Sequence, residues 1–150
     1  MNRSLGECFT SEAQAIGIYE AEHFWMRFQI KGRRRTQLFQ LMESILAEER
    51  GHLDGLDPWR RELGRGWSSA ISLNRVLGWC IGSLLAWLPS IWISKVHKMG
   101  ERAASEIYQN ASEACRQCDS TLQGVLILAA EQERRHIRQF NDFLDQRLWN

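Results

Sequence analysis

Asp119 to Leu148, DSTLQGVLILAAEQERRHIRQFNDFLDQRL, reads as an amphipathic helix whose apolar stripe is interrupted at two consecutive turns by groups that bind metals. Every third or fourth residue gives Leu122, Leu126, Ala129, Glu133, His136, Phe140 and Phe143, the inward face of a helix. Glu133 and His136 are therefore expected inside. An ionised carboxylate is very costly in an apolar interior unless it is paired or coordinated. A Glu and a His three residues apart present an oxygen and a nitrogen to one point, which suits a metal; within this helix alone, the two could instead satisfy each other or be capped by an Arg.

The rest of the chain repeats the pattern. A second helix from about Thr36 to Leu53 carries Leu38, Met42, Ile45, Glu49 and His52 on one face, leaving Glu43 and Glu48 off it and solvated. A first helix is expected from Glu12 to Lys31, capped by Thr10 or Ser11 and ended by Gly32, with Glu12, Ala15 or Ile16, Tyr19, His23 and Met26 along its stripe. Glu20 and His23 cannot share a centre with Glu12 and are expected as a surface or edge pair. The third ligand-bearing helix places Glu101, Ala104, Tyr108, Ala111 and Cys115 on one face and leaves Glu106 outside.

Counting from the turns tests whether these groups meet. Residues of an antiparallel pair at equal distance from the turn are level, and the midpoint of positions 12 and 49 falls beside Gly32. The midpoint of 101 and 133 falls in the Cys115-Arg-Gln-Cys118 segment between the last two helices. Glu12 is thus expected level with Glu49, and Glu101 with Glu133. One Glu from each of two helices and a Glu-x-x-His from each of two others is the ligand set of a carboxylate-bridged di-iron or di-manganese centre in a ferritin-like four-helix bundle. Four carboxylates balance two divalent ions, and mixed oxygen and nitrogen donors suit iron first and manganese second. Tyr108 and Tyr19 stand about two turns from the ligand Glu of their helices. Each is a candidate hydrogen-bond donor or electron relay, with plain packing the alternative for Tyr19.

With 150 residues, the chain makes one domain, residues 1–150, able to bury a sizeable core. Nineteen Lys and Arg against eighteen Asp and Glu offer nothing to a nucleic acid. The four cysteines and the polar first residues suggest a reducing cytoplasmic setting, and Cys115-x-x-Cys118 alone is a weak motif. Lys31-Gly32-Arg33-Arg34-Arg35 reads as a solvated turn, with an anionic-lipid contact as the alternative. Residues from His52 to Trp67 read as a Gly- and charge-rich connector that begins a long crossover.

Val76 to Ser94 then carries no charge. Pro89 breaks it, so an interfacial or shallowly inserted hairpin fits better than a spanning helix, with Trp79, Trp87 and Trp92 as anchors between Arg75 and Lys95. A buried core segment or a dimer face is the alternative.

From Glu12 to Phe143 the chain resembles the demethoxyubiquinone hydroxylases of ubiquinone biosynthesis. The matching features are Glu12 with Tyr19, Met42 before Glu49-Arg-Gly-His52-Leu53, the apolar Leu77-Gly-Trp-Cys-Ile-Gly82, Glu101 with Tyr108, and Glu133 with His136. All six ligand positions of that family are filled. Where the family has His-Ala-Gly-Glu and His-Tyr, this chain has Phe9-Thr-Ser-Glu12 and Ile107-Tyr108, as a divergent member would. The resemblance implies oxygen-dependent hydroxylation of a polyprenyl benzoquinone at the cytoplasmic face of the inner membrane, by a peripheral protein. NADH or a reductase would supply electrons, and a lipid-binding accessory protein or a second copy would be a possible companion. A ferroxidase or iron-storage protein, a rubrerythrin-like peroxidase and a non-enzymatic membrane scaffold are the competing classes.

Overall fold

The computed structural model describes residues 2–29, 31–63, 65–115 and 119–146. Every regular element among them is helical: α1 (Asn2–Met26), α2 (Arg33–Leu56), a 3₁₀ turn (Asp57–Glu62), α3 (Arg65–Leu85), α4 (Ser90–Cys115) and α5 (Ser120–Asp145). α1 packs against α3, α2 and α4, while α5 packs against α4 and α2. The four helices α1, α2, α4 and α5 thus enclose one interior, and α3, which lies in the crossover, covers the outside of α1. Cys118, half of the Cys-x-x-Cys motif, lies outside the described residues, as do the last residues of the stretch that ends at Leu148.

The helix boundaries correct several expectations. α1 begins ten residues before Glu12, and neither Thr10 nor Ser11 caps it. Leu5, Cys8 and Phe9 are buried and carry the stripe one turn and more upstream, so packing favours continuing the helix there. Thr10 instead turns its hydroxyl back onto the carbonyl of Gly6 at 3.0 Å, a bond made from a helix interior. At the other end α1 stops at Met26, short of Lys31. His23, expected on the stripe, lies half-exposed beside Glu43 at 3.6 Å, and Glu22 takes the inward place. α2 continues through Gly51 and Gly55 to Leu56, which is fully buried, and Pro58 then opens the 3₁₀ turn rather than a loop.

α3 begins at Arg65, well before the uncharged run, and ends ahead of Pro89. Pro89 breaks the chain as expected: its carbonyl accepts from the amides of Trp92 and Ile93 at 2.8 and 3.2 Å and so starts α4. The close approach of α3 to α1 depends on glycine. A Cβ on Gly78 would stand 2.1 Å from the carbonyl oxygen of Gln14, and one on Gly82 would stand 2.3 Å from that of Ile18. α5 starts at Asp119, whose carboxylate accepts from the amides of Thr121 and Leu122 at 2.9 and 3.0 Å and from the Trp59 indole at 2.8 Å.

Two apolar clusters fill the interior. One gathers Leu5, Phe9, Leu56, Leu122 and Leu126; the other gathers Ile16, Met42, Ile45, Ile93 and Phe140. The candidate site residues occupy the same four helices, between these clusters in sequence. Among the described residues no helix is long and apolar enough to cross a membrane. Leu73, Val76, Leu77, Leu84, Trp87, Trp92 and Met99 nevertheless stay exposed on α3, the following turn and α4. Trp79 joins them.

Candidate metal centre

Each of the four enclosing helices brings its stripe carboxylate to one buried place. Glu12 of α1, Glu49 of α2, Glu101 of α4 and Glu133 of α5 are all buried, as are His52 and His136. They form two groups that could each hold a metal ion: Glu12, Glu49, His52 and Glu133, and Glu49, Glu101, Glu133 and His136. Within each group the donor atoms lie within 4.8 Å of one another. Glu12 and Glu49 therefore meet, and so do Glu101 and Glu133, as the counting from the turns requires.

Glu49 and Glu133 belong to both groups, and their atoms divide accordingly. His52 Nδ1 lies 3.2 Å from Glu133 Oε1 and 3.9 Å from Glu49 Oε2, whereas His136 Nδ1 lies 3.6 Å from Glu133 Oε2 and 3.4 Å from Glu49 Oε1. Each of these carboxylates thus turns one oxygen to each imidazole. Glu12 belongs to the His52 group, with Oε2 3.7 Å from Nδ1, and Glu101 to the His136 group, with Oε2 3.0 Å from Nδ1.

The tyrosines hold the two unshared carboxylates by their remaining oxygens. Tyr108 of α4 donates to Glu12 Oε1 at 2.5 Å, and Tyr19 of α1 donates to Glu101 Oε1. Burial pushes both phenols well above their ordinary range, so each keeps the proton it donates. Both therefore bond to the site, and each serves the carboxylate of the other's helix rather than its own.

The donor set fits a cation. Glu12 Oε2, Glu49 Oε1, His52 Nδ1 and both oxygens of Glu133 are fully buried and make no hydrogen bond, although they converge at ion-pair distance. Buried polar atoms without partners are rare and call for a ligand or ion between them. The protein atoms alone balance this cluster with protons. Burial opposes charge on the imidazoles, but the facing carboxylates outweigh it, taking His52 to about 10 and His136 to about 12. Burial raises Glu133 to about 7 and also raises Glu49, where Glu12 and Glu133 add to it. Glu101 goes the other way, to about 2, because hydrogen bonding with His136 overcomes its burial.

Four polar residues near this centre were not foreseen. Glu48, expected in solvent, accepts from Arg135 and lies 3.2 Å from His136 Nε2. Gln132 occupies the matching place at 2.9 Å from His52 Nε2. Each sits immediately before a shared Glu, a coincidence visible in Glu48-Glu49-x-x-His52 and Gln132-Glu133-x-x-His136. Glu22 and His97 form a separate buried pair at 2.6 Å, with the His97 ring stacked on Tyr19 at 4.4 Å between centroids. Glu22 stands three residues after Tyr19 and His23 four, both helical spacings, and that was the available signal for Glu22. Glu20 and Glu106 stay off the site as expected, but Glu20 and His23 do not pair with each other: Glu20 meets Arg50 and Arg75 at 2.9 and 2.8 Å, cations within reach from α2 and α3, and His23 meets Glu43.

A cavity of about 290 Å³ opens between α1, α3 and α4. Ala15, Ile18, Leu85 and Ile107 give it apolar walls, and it reaches Glu49, Glu101 and Glu133. His97 and Tyr19 are the polar rings in its wall. Comparison of the chain with protein-family models, with curated proteins and with solved structures finds no match in any of the three. What the fold and the site define is an all-helical protein with a buried Glu and His cluster able to hold metal.

Proposed function

We propose that the protein is a di-iron, oxygen-dependent monooxygenase of the ferritin-like class that hydroxylates the benzoquinone ring of a polyprenyl quinone intermediate at a membrane surface. The observation that carries this reading is the sharing of Glu49 and Glu133 between two donor groups, each completed by one further Glu and one His. This is the bridging arrangement expected of a two-metal carboxylate centre. Iron is preferred over manganese as the reading in which the centre works with oxygen.

Two irons held there would supply electrons to oxygen and place one of its atoms on the ring. The balance is one ring C–H, one O2, two electrons and two protons giving one C–OH and one water, with NADH or a reductase as electron source. Glu12, Glu49, His52 and Glu133 would hold one ion and Glu49, Glu101, Glu133 and His136 the other, while Tyr108 and Tyr19 fix Glu12 and Glu101 so that one oxygen of each faces inward. Ala15, Ile18, Leu85 and Ile107 receive an apolar ring and exclude water. His97 stands in the wall of the same cavity with its Nε2 turned to Glu22 at 2.6 Å, and Glu22 favours the charged ring against burial.

The exposed apolar surface on α3 and α4 supports the membrane part of the reading. Lys95 of α4 lies over Trp92 at 5.0 Å, a pairing of aromatic and basic groups suited to a lipid interface. The same surface disfavours a soluble iron-storage shell. Quinone extracts from cells lacking the protein test the function: the unhydroxylated ring should accumulate, and an unchanged quinone profile would remove the proposed substrate.

A further inference from the structure

The two donor groups match in composition, and what lies behind their imidazoles sets them apart. Each has one unshared Glu held by a tyrosine hydroxyl, the same two shared carboxylates, and one imidazole that turns Nδ1 inward. The outward nitrogens differ. His136 Nε2 meets the carboxylate of Glu48 at 3.2 Å, whereas His52 Nε2 meets the amide oxygen of Gln132 at 2.9 Å. The partners are crossed: Glu48, on α2, holds the imidazole of α5, and Gln132, on α5, holds the imidazole of α2.

Both partners accept a proton from Nε2 and so fix the ring with Nδ1 toward the centre. Only the carboxylate also pushes electron density into the ring and strengthens Nδ1 as a donor to a cation. Arg135 bonds the same oxygen of Glu48 that faces His136. Its side chain is 47% exposed and its charge is screened by water, while Glu48 is 26% exposed and remains the direct acceptor for the ring.

Resting on the two-metal reading above, we propose that Glu48 and Gln132 are positioning residues that make the two metal positions unequal, the Glu101 and His136 position binding its ion first and more tightly than the Glu12 and His52 position. The inequality is built by one charge outside the ligand set rather than by the ligands.

Stepwise titration of metal-free protein with Mn2+, followed by the electron paramagnetic resonance of the free ion, tests this without any turnover. Glu48→Gln should weaken the tighter step by about 10–100-fold and the weaker step much less, the range usual for loss of such a partner. Gln132→Glu should strengthen the weaker step, and the two changes together should restore two separated steps. Helix content by circular dichroism should match wild type in each variant, and because Gln132→Glu predicts a gain, a merely disturbed fold cannot imitate it. Steps in Glu48→Gln within about twofold of wild type, or both weakened equally, would overturn the inference while leaving the centre in place. Wild-type protein that takes up no Mn2+, or a single ion, would overturn the two-metal reading itself.

Discussion

The hydroxyl of Tyr108 on α4 donates to Glu12 on α1 across the interior at 2.5 Å, so a candidate ligand is oriented by a helix other than its own. Removing that hydroxyl leaves a buried carboxylate oxygen without its donor, at about 1–3 kcal/mol. Tyr108→Phe should keep two ions bound at saturating metal but weaken their binding by about 10–100-fold, measured by competition with a chelator. Affinity equal to wild type would show that Glu12 needs no orientation.

Metal content distinguishes shared from unshared carboxylates. Wild-type protein should carry about two irons per chain, Glu12→Ala about one, and Glu133→Ala or Glu49→Ala fewer still, with helix content near wild type in all of them. Elemental analysis of purified protein reads this directly. Full loading of Glu133→Ala and Glu49→Ala would end the ligand assignment.

The Glu22 and His97 pair gives stability a pH dependence of known sign. Burial works against the charged imidazole, but Glu22 overcomes it and raises the His97 pKa above its ordinary 6.5. A group raised on folding contributes fully below its unfolded value and loses that contribution as pH rises through its folded value. The stability advantage of metal-free wild type over His97→Gln should therefore be greatest below pH 6.5 and shrink as the solution becomes alkaline. Urea denaturation at a series of pH values checks it, and an advantage that grows with pH contradicts the pairing.

Gly78 tests the seam between α1 and α3. An exposed helix glycine replaced by alanine gains up to about 1 kcal/mol from propensity. Here the added Cβ would fall 2.1 Å from the Gln14 carbonyl oxygen, so the helices must separate. Gly78→Ala should destabilise by about 1–3 kcal/mol, as overpacked interiors do. Thermal denaturation showing a stabilised variant would mean that the helices separate at no cost.

The proposed membrane contact is tested at Leu84, which is 75% exposed and so open to change without disturbing the core. Leu84→Asp should reduce binding to vesicles of anionic phospholipid severalfold in a sedimentation assay, with unchanged thermal stability. Equal binding by the two proteins would exclude this face from the contact.

The helical class and the six residues that gather at the centre could be read from the sequence because both depend on short-range regularity. Glu133 with His136, and Glu49 with His52, fall on apolar stripes at helical spacing, and equal distances from two turns make Glu12 level with Glu49 and Glu101 with Glu133. The start of α1 was less legible, since Thr10 resembles a cap and only the burial of Leu5 and Phe9 against other helices extends the helix past it. The division of Glu49 and Glu133 between two groups, the crossing of Tyr19 and Tyr108, and the placing of Glu48 on His136 were decided by tertiary structure alone. Periodicity tells which face of a helix a residue occupies, whereas which oxygen meets which nitrogen depends on how four helices are rotated and spaced about one interior, and that is set by packing between residues far apart in the chain.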